Sequence, residues 1–217
     1  MGGLDIIKTL KGWGIKANNE WKTFNGYKIP FLEYKFIKEI NSILAINDDD
    51  WKEGINPSMD EYAGFVISDN HFVGLQIERY YRLTSLPNNI RNLENLKSLI
   101  LNNNSLNELP ESIGELGNLQ VLSLNYNRLT RLPESIGELG NLRELNLVDN
   151  QLTELPESIG KLGNLWKLNL NHNQLTELPE SLMELKNMQY LFLRQNNLED
   201  IPPWLEDLKK KGIAYFK

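Results

Sequence analysis

Side chains able to bind another molecule gather near the C-terminal end of the sequence. Tyr190, Phe192 and Arg194 occupy alternate positions, which is the spacing of side chains on one face of a β-strand. Aromatic rings and guanidinium groups are the groups that contribute most to protein–protein interfaces. The chemistry indicated by these residues is therefore the binding of a protein or peptide, and the elements that carry them must explain how they come together.

Groups suited to catalysis or metal binding are scarce. The 217-residue chain has no cysteine and two histidines, which excludes disulfides, thiolate nucleophiles and cysteine-ligated zinc. It lacks a phosphate-binding G-x-x-x-x-G-K-[ST] loop, a G-x-S-x-G motif and a kinase signature. Asp48, Asp49 and Asp50 are adjacent rather than alternating as in a calcium loop, and we interpret them as a helix cap and turn. We expect no enzymatic activity, no cofactor and no metal; the enzymatic alternative would require a small catalytic domain in residues 1–71, which hold no nucleophile–base pair.

A fixed period organises the second part of the chain. Of 38 leucines, 34 follow residue 71, whereas ten of the twenty aromatic residues precede residue 72. Leu-Pro or Ile-Pro dipeptides recur every 23 residues, beginning at Leu86, Leu109, Leu132, Leu155, Leu178 and Ile201. A regular period of this length predicts a solenoid, in which each unit buries its apolar face only against its neighbours.

Within each unit the spacing of the apolar residues changes. Leu119, Leu122 and Leu124 fit a short strand whose last two leucines face inward. The LPESIGELGNL half spaces its apolar residues three or four apart, and its glycines favour one or two helical or 3₁₀ turns over a long helix. An asparagine, whose amide both donates and accepts hydrogen bonds, follows each strand and is interpreted as a structural ladder serving inward-facing backbone groups. The ladder residues are Asn104, Asn127, Asn150, Asn173 and Asn196.

The pattern L-x-x-L-x-L-x-x-N-x-L resembles the leucine-rich repeat family over roughly two thirds of the chain. The LPESIGELGNL half is similar to the 23-residue intracellular subclass, found in Ras-associated, bacterial and archaeal repeat proteins. The resemblance implies an α/β horseshoe solenoid with a concave parallel β-sheet, short convex helices or 3₁₀ turns, an α+β N-terminal cap and a protein-binding concave face. It implies a non-enzymatic interaction module or, alternatively, a trans-acting regulator or scaffold for a small GTPase or other signalling protein. A scaffold without a partner of its own is a further alternative, because LPESIGELGNL occurs twice without change.

Strand alternation predicts which side chains would meet a partner. If the first leucine of the motif is position 1, positions 4 and 6 face the core, and positions 3, 5, 7 and 8 face the hollow. The hollow-facing positions differ between repeats, whereas the framework positions nearly copy one another. We single out Tyr126, Glu144, Asp149, Lys167, His172, Tyr190, Phe192 and Arg194, with Trp166 at the rim. The alternative role for Tyr190 and Phe192 is to shield the last repeats beside the C-terminal cap.

Both ends of the array are expected to carry caps. We assign residues 1–71 to an N-terminal extension and cap, residues 72–200 to the repeats with a degenerate first unit, and residues 201–217 to a C-terminal cap. The N-terminal cap is expected to contain hairpins at Asn25-Gly26 and Asp69-Asn70, with His71 as a turn residue. Between them we predict a helix with one apolar face, made of Leu32, Phe36, Ile37, Ile40 and Leu44. At the far end we predict a helix with Trp204 over the open core, and then an edge strand over residues 213–216.

Charge and hydropathy indicate the partners and location to expect. The net charge of −6 provides no basic field for nucleic acid or for an anionic membrane. The first ten residues do not form a signal peptide, and no apolar stretch approaches the length of a membrane span. We therefore expect a cytoplasmic protein that binds neither nucleic acid nor membrane. We expect a monomer, with oligomerisation through the hollow or the ends as the alternative.

Overall fold

The computed structural model describes residues 21–44, 52–53, 63–78, 83–199, 202–210 and 214–216. The predicted acidic turn at residues 48–50 lies outside this part of the chain, as do most of the predicted N-terminal extension and the Leu44 side chain.

Two hairpins and a helix form the N-terminal part. Strands β1 (Trp21–Phe24) and β2 (Tyr27–Pro30) are antiparallel. Between them, Asn25 and Gly26 have φ angles of 45° and 84°, the positive values that a type I′ turn requires. Helix α1 (Phe31–Leu44) follows, then β3 (Lys52–Glu53), and then the hairpin of β4 (Ala63–Ser68) and β5 (His71–Ile77). The turn of this second hairpin lies at Asp69 and Asn70, whose φ angles are also positive.

One face of helix α1 differs from the predicted one. Leu32 is 42% exposed, so its placement on the buried face was wrong, whereas Glu33 is 2% exposed. Glu33 and the buried residues Phe36, Ile37 and Ile40 have the i, i+3, i+4, i+7 spacing of one helix face. This stripe of residues is the face of α1 that docks. Because Leu32 neighbours that stripe on the helix surface, the apolar pattern alone included it.

The docked face of α1 is held to the second hairpin by a carboxylate. Glu33 Oε1 lies 2.7 Å from His71 Nδ1, and Glu33 Oε2 accepts a 2.9 Å hydrogen bond from the backbone N–H of Phe72. His71 is the first residue of β5 and not a turn residue. Its side chain contacts Glu33 of α1.

A single sheet of nine strands runs through the described chain, in the order β3 to β11. Its seven parallel strands are β5, β6 (Ser98–Ile100), β7 (Val121–Ser123), β8 (Glu144–Asn146), β9 (Lys167–Asn169), β10 (Tyr190–Phe192) and β11 (Ala214–Phe216). Equivalent residues of successive repeats stand side by side, as Leu122 does beside Leu145. The parallel sheet confirms the solenoid prediction. It also continues into β4 and β3, so the proposed boundary between residues 71 and 72 falls within one sheet.

Short 3₁₀ helices form the opposite side of each coil, as the glycine content of the repeats predicted. They are η1 (Asn88–Asn92), η2 (Glu111–Glu115), η3 (Glu134–Glu138), η4 (Glu157–Lys161) and η5 (Glu180–Glu184). Each follows the proline of a Leu-Pro dipeptide, and the Pro110 carbonyl accepts a 3.0 Å bond from the Ile113 N–H. Proline suits this place because its fixed φ leads into the turn and its missing N–H would have no partner there.

The interior between sheet and 3₁₀ helices is filled by leucines and closed by asparagines. Leu122 and Leu124 are fully buried. Asn127 Oδ1 accepts a 3.0 Å bond from the Leu106 N–H, while its Nδ2 donates to the carbonyls of Leu101 at 2.9 Å and Leu124 at 3.0 Å. The amide thus joins two turns of the coil, and the other ladder asparagines donate to carbonyls of the preceding turn in the same way.

The C-terminal end of the core is covered by helix α2 (Pro203–Lys210). Three residues of this helix are buried and belong to the same apolar cluster as Phe24 in the first hairpin: Trp204, Leu205 and Leu208. Strand β11 then pairs in parallel with β10 and ends the sheet. Among the described residues, no helix has both the length and the apolar character needed to cross a membrane.

Candidate functional site on the exposed sheet face

Three aromatic rings meet at the C-terminal end of the hollow. Strand β10 turns Leu191 into the core, so its neighbours Tyr190 and Phe192 face outward. The Tyr190 and Phe192 rings are stacked, with centroids 6.3 Å apart and planes 13° apart. Trp166 makes an edge contact with Tyr190 at 5.7 Å. These three residues, called the aromatic patch below, form one continuous surface, and Trp166, expected at the rim, is part of it.

The charged residues near the patch face each other in pairs. Lys167 Nζ lies 3.3 Å from Glu144 Oε2, and both side chains are about one-third exposed. Register places Glu144, Lys167 and Tyr190 side by side on β8, β9 and β10. His172 Nδ1 lies 3.9 Å from Asp149 Oδ1. The structure therefore brings four of the predicted residues together in two pairs, of which Lys167 and Glu144 form an ion pair.

Position 8 of the five described repeats after the degenerate first one has an unusual backbone conformation. Its φ is positive and between 54° and 57° at Asn103, Tyr126, Asp149, His172 and Gln195. Asparagine, aspartate and histidine are enriched in this left-handed region, whereas tyrosine adopts it at a cost. Tyr126 is 53% exposed, and β8 and β9 separate its strand from β10. The structure therefore places Tyr126 in the hollow but apart from the aromatic patch.

Position 7, predicted to vary freely on the hollow face, instead forms a second structural ladder. Asn102 Oδ1 accepts a bond from the Asn125 N–H at 2.9 Å, and Asn125 Oδ1 accepts one from the Val148 N–H at 2.9 Å. Asn171 Oδ1 accepts a 2.7 Å bond from the Arg194 N–H. The parallel strands end near this position and leave backbone N–H groups to be bonded, and these asparagines bond them.

The second ladder is interrupted where Val148 replaces asparagine. A valine side chain cannot accept the next backbone N–H, so the Asn171 N–H bonds instead to Asn169 Oδ1 at 3.2 Å. Asn169 and Asn171 therefore use their oxygens internally. Within the described chain their Nδ2 groups have no hydrogen bond, and neither do the Trp166 indole N–H or the Tyr190 hydroxyl.

Asn169 and Asn171 are thus site residues that the sequence did not single out. Both belong to the repeat of Lys167 and precede the aromatic strand, but many asparagines share their columns. They differ from Asn102 and Asn125 in their Nδ2 atoms. Those of Asn102 and Asn125 donate to Glu78 and Ser123, whereas those of Asn169 and Asn171 are unused among the described residues.

The grooves found among the described residues lie elsewhere, along the edge formed by the Leu-Pro dipeptides. They are lined mainly by glutamates such as Glu134, Glu154 and Glu177. In the described part of the chain, no three histidine, aspartate or glutamate side chains are grouped so that they could hold a metal ion. The aromatic patch lies outside these grooves, and its rings are partly exposed.

The repeat pattern of this chain matches a known protein family. A family model described as a leucine-rich repeat region matches residues 72–152 and 134–210, together more than half of the chain. A comparison with curated proteins finds no match.

Solved structures with a similar fold include bacterial and plant proteins. A leucine-rich repeat protein of Leptospira interrogans is 46% identical, with 58% of this chain and 32% of that chain covered and a TM-score of 0.57. An internalin of Listeria monocytogenes is 26% identical over 64% of this chain and 38% of that chain, with a TM-score of 0.50. The leucine-rich repeat ectodomain of an Arabidopsis thaliana receptor kinase, solved in complex with CASPARIAN STRIP INTEGRITY FACTOR 2, is 32% identical, with 70% and 21% covered and a TM-score of 0.52. The aligned part spans about a third of the Leptospira chain.

Proposed function

This chain belongs to the leucine-rich repeat proteins, and from that membership we propose that it is an interaction module that binds a protein or peptide on its concave face, at the aromatic patch. Leucine-rich repeat proteins are generally non-enzymatic interaction modules. The observation that carries the proposal is the cluster of Trp166, Tyr190 and Phe192, with Tyr190 39% exposed on the strand surface. Clustered, partly exposed aromatic rings are typical of the anchoring residues of interfaces.

Two further observations support binding in the hollow. Tyr126 occupies a left-handed backbone position for which Asn103 and Asp149, at the same position of other repeats, are better suited. Residues kept in strained conformations are concentrated at functional sites. The Arabidopsis fold neighbour was solved with a bound factor, which shows that a related solenoid holds a ligand.

The proposal includes several finer features. We assign the chain to the 23-residue intracellular subclass because its Leu-Pro dipeptides recur without insertion, and we place it in the cytoplasm because it contains no cysteine. We propose that it acts as a monomer and binds neither nucleic acid nor membrane, in keeping with its net charge of −6. A small GTPase as the partner stays a prediction, because no described contact favours it.

Affinity capture with matched variants tests the proposal. Immobilised wild type, Tyr190→Ala/Phe192→Ala and Phe31→Ala would each be incubated with lysate of the source cells, and the bound proteins identified by mass spectrometry. Phe31 is the control because it is 38% exposed, close to Tyr190, but lies at the start of α1. We expect a protein retained by wild type and Phe31→Ala, and weakened at least about tenfold by the double substitution. Equal retention by all three chains would contradict a site at the aromatic patch.

A further inference from the structure

We propose that the aromatic patch binds a proline-rich segment in the polyproline II conformation. This inference rests on the proposed function, because it names the class of peptide that the same site takes. It is carried by the hydrogen-bonding groups around the rings, the rings themselves, the spacing of the strands and the balance of charge.

Several groups around the patch offer unused hydrogen-bond donors. The Asn169 and Asn171 oxygens already accept backbone N–H groups, whereas their Nδ2 groups are unused in the described part of the chain. The Trp166 indole adds an N–H with no bond within the described residues. These donors favour a ligand that is rich in acceptors. Proline residues meet this condition, since they have a carbonyl and no N–H.

The rings provide the apolar half of the contact. Tyr190 and Phe192 stand nearly parallel, and Trp166 meets Tyr190 at 74°, so the patch has ridges rather than a flat surface. Proline rings pack against such aromatic ridges, and a polyproline II segment is already extended before it binds, which lowers the entropy lost on binding.

The spacing of the strands matches that of a polyproline II helix. Neighbouring strands lie about 4.8 Å apart, so two strands along the sheet span about 9.6 Å. Three polyproline II residues advance about 9.3 Å and complete one turn. Register aligns Asn146, Asn169 and Phe192 in one row on β8, β9 and β10. When a polyproline II segment crosses the strands along this row, residues three positions apart in the segment therefore lie over every second repeat. One such residue lies over Asn146 and the next over Phe192.

The ion pair beside Tyr190 is compatible with an uncharged segment. Lys167 is opposed by Glu144. Next to Tyr190, these two charges largely cancel. A proline-rich segment needs no charge to bind by ring packing and carbonyl hydrogen bonds.

Titration with labelled decaproline tests the inference on the full chain. Fluorescence anisotropy would compare wild type with Tyr190→Ala, Asn171→Asp and Asn125→Asp. Asn171→Asp keeps an oxygen for the Arg194 N–H but removes the outward donor, whereas Asn125→Asp makes the same change where Nδ2 faces Ser123. We expect affinity to fall at least about tenfold in Tyr190→Ala and about fivefold in Asn171→Asp, and to stay within about twofold in Asn125→Asp. Circular dichroism would show that all four chains are folded.

Control ligands and a peptide library distinguish a failure of this inference from a failure of the proposed function. A Gly-Ser decamer, which has carbonyls but no rings, is expected not to bind, and neither is a glucose hexasaccharide. The inference is overturned by absent decaproline binding, by equal loss in Asn171→Asp and Asn125→Asp, or by hexasaccharide binding that needs Tyr190. A displayed library of random 12-residue peptides would complete the test. Enriched peptides that lack proline but depend on Tyr190 would overturn the inference alone, and no enrichment together with no captured protein would overturn both.

Discussion

At the scale of the residue, burial decides the behaviour of Glu33. Its carboxyl group is 2% exposed between α1 and β5. Desolvation raises the pKa of Glu33, the hydrogen bonds from Phe72 and His71 oppose that rise, and the nearby Glu94 adds to it. The net effect is a raised pKa, so the folded state binds a proton here more tightly than the unfolded chain does.

This shift predicts how stability depends on pH. A raised pKa contributes stability that is fully present below the usual glutamate pKa and is lost as the pH rises through the folded value. The wild type should therefore lose stability relative to Glu33→Gln as the pH rises above about 4.5. Glu33→Ala should cost about 1–3 kcal/mol, because it leaves the Phe72 N–H unbonded. Urea unfolding at several pH values measures these differences, and a relative gain of wild type with pH would contradict the assignment.

Tyr126 gives a second prediction at this scale. Its φ of 57° is costly for an aromatic residue, whereas Asn103 holds a φ of 56° with a suitable side chain. Tyr126→Asn should raise the free energy of unfolding by about 0.5–1 kcal/mol, and Asn103→Tyr should lower it by a similar amount. Thermal and urea unfolding check both changes. A loss of stability in Tyr126→Asn would show that the ring contributes packing that outweighs the backbone cost.

At the scale of the element, three repeats have one glycine inside the 3₁₀ helix and another just after it, and the two have different roles. A Cβ added to Gly137 would stand 2.4 Å from the Ser158 carbonyl oxygen of the next repeat, and Gly114 and Gly160 are equally close to theirs. Around Gly140, three residues later, no atom lies within 4 Å of such a Cβ. The first glycine therefore allows adjacent 3₁₀ helices to approach, while the second has open space.

Alanine substitutions should separate these roles. Gly137→Ala is expected to destabilise the protein by about 1–3 kcal/mol, since the backbone of the next repeat must shift. Gly140→Ala is expected to be neutral or to stabilise by up to about 1 kcal/mol, because it restricts the unfolded chain without a clash. Urea unfolding of the two variants side by side provides the measurement. Equal effects would mean that the repeats do not need the close approach at Gly137.

At the scale of the whole molecule, the apolar core is continuous from the first hairpin to α2. Phe24, Phe65 and Phe72 pack with ring centroids 5.2–5.9 Å apart and join the leucines of the first repeats. Trp204 closes the same core at the other end. Neighbouring repeats are further linked by the two asparagine ladders, so no described turn of the coil is stabilised by itself.

This continuity predicts cooperative unfolding. Far-UV circular dichroism and tryptophan fluorescence should report the same urea midpoint in wild type. Phe72→Ala, which opens a cavity where the cap meets the repeats, should lower both midpoints together and cost about 3–5 kcal/mol. Two separate transitions would show that the cap and the repeats unfold as independent units.

Features of this protein that follow the spacing of the repeat can be predicted from its residues alone. Alternating leucines, the Leu-Pro dipeptides and the Asn127-type amides defined the period of the coil, the register of its strands and the start of each 3₁₀ helix. Each pattern has a physical cause that recurs at a fixed position of the repeat: strand alternation, the fixed φ of proline, or a backbone group that must be bonded. Because these positions recur, their roles can be recognised without the fold.

Features that depend on how side chains pack and pair became apparent only in the fold. Leu32 was exposed and Glu33 buried because docking against β5, and not hydropathy, selected the face of α1. Gly137 and Gly140 look alike in the sequence but differ in what lies opposite them. Asn171 differs from Asn125 because its Nδ2 is unused within the described chain, whereas the Nδ2 of Asn125 donates to Ser123. The positions of these partners depend on how closely the pieces of the chain pack.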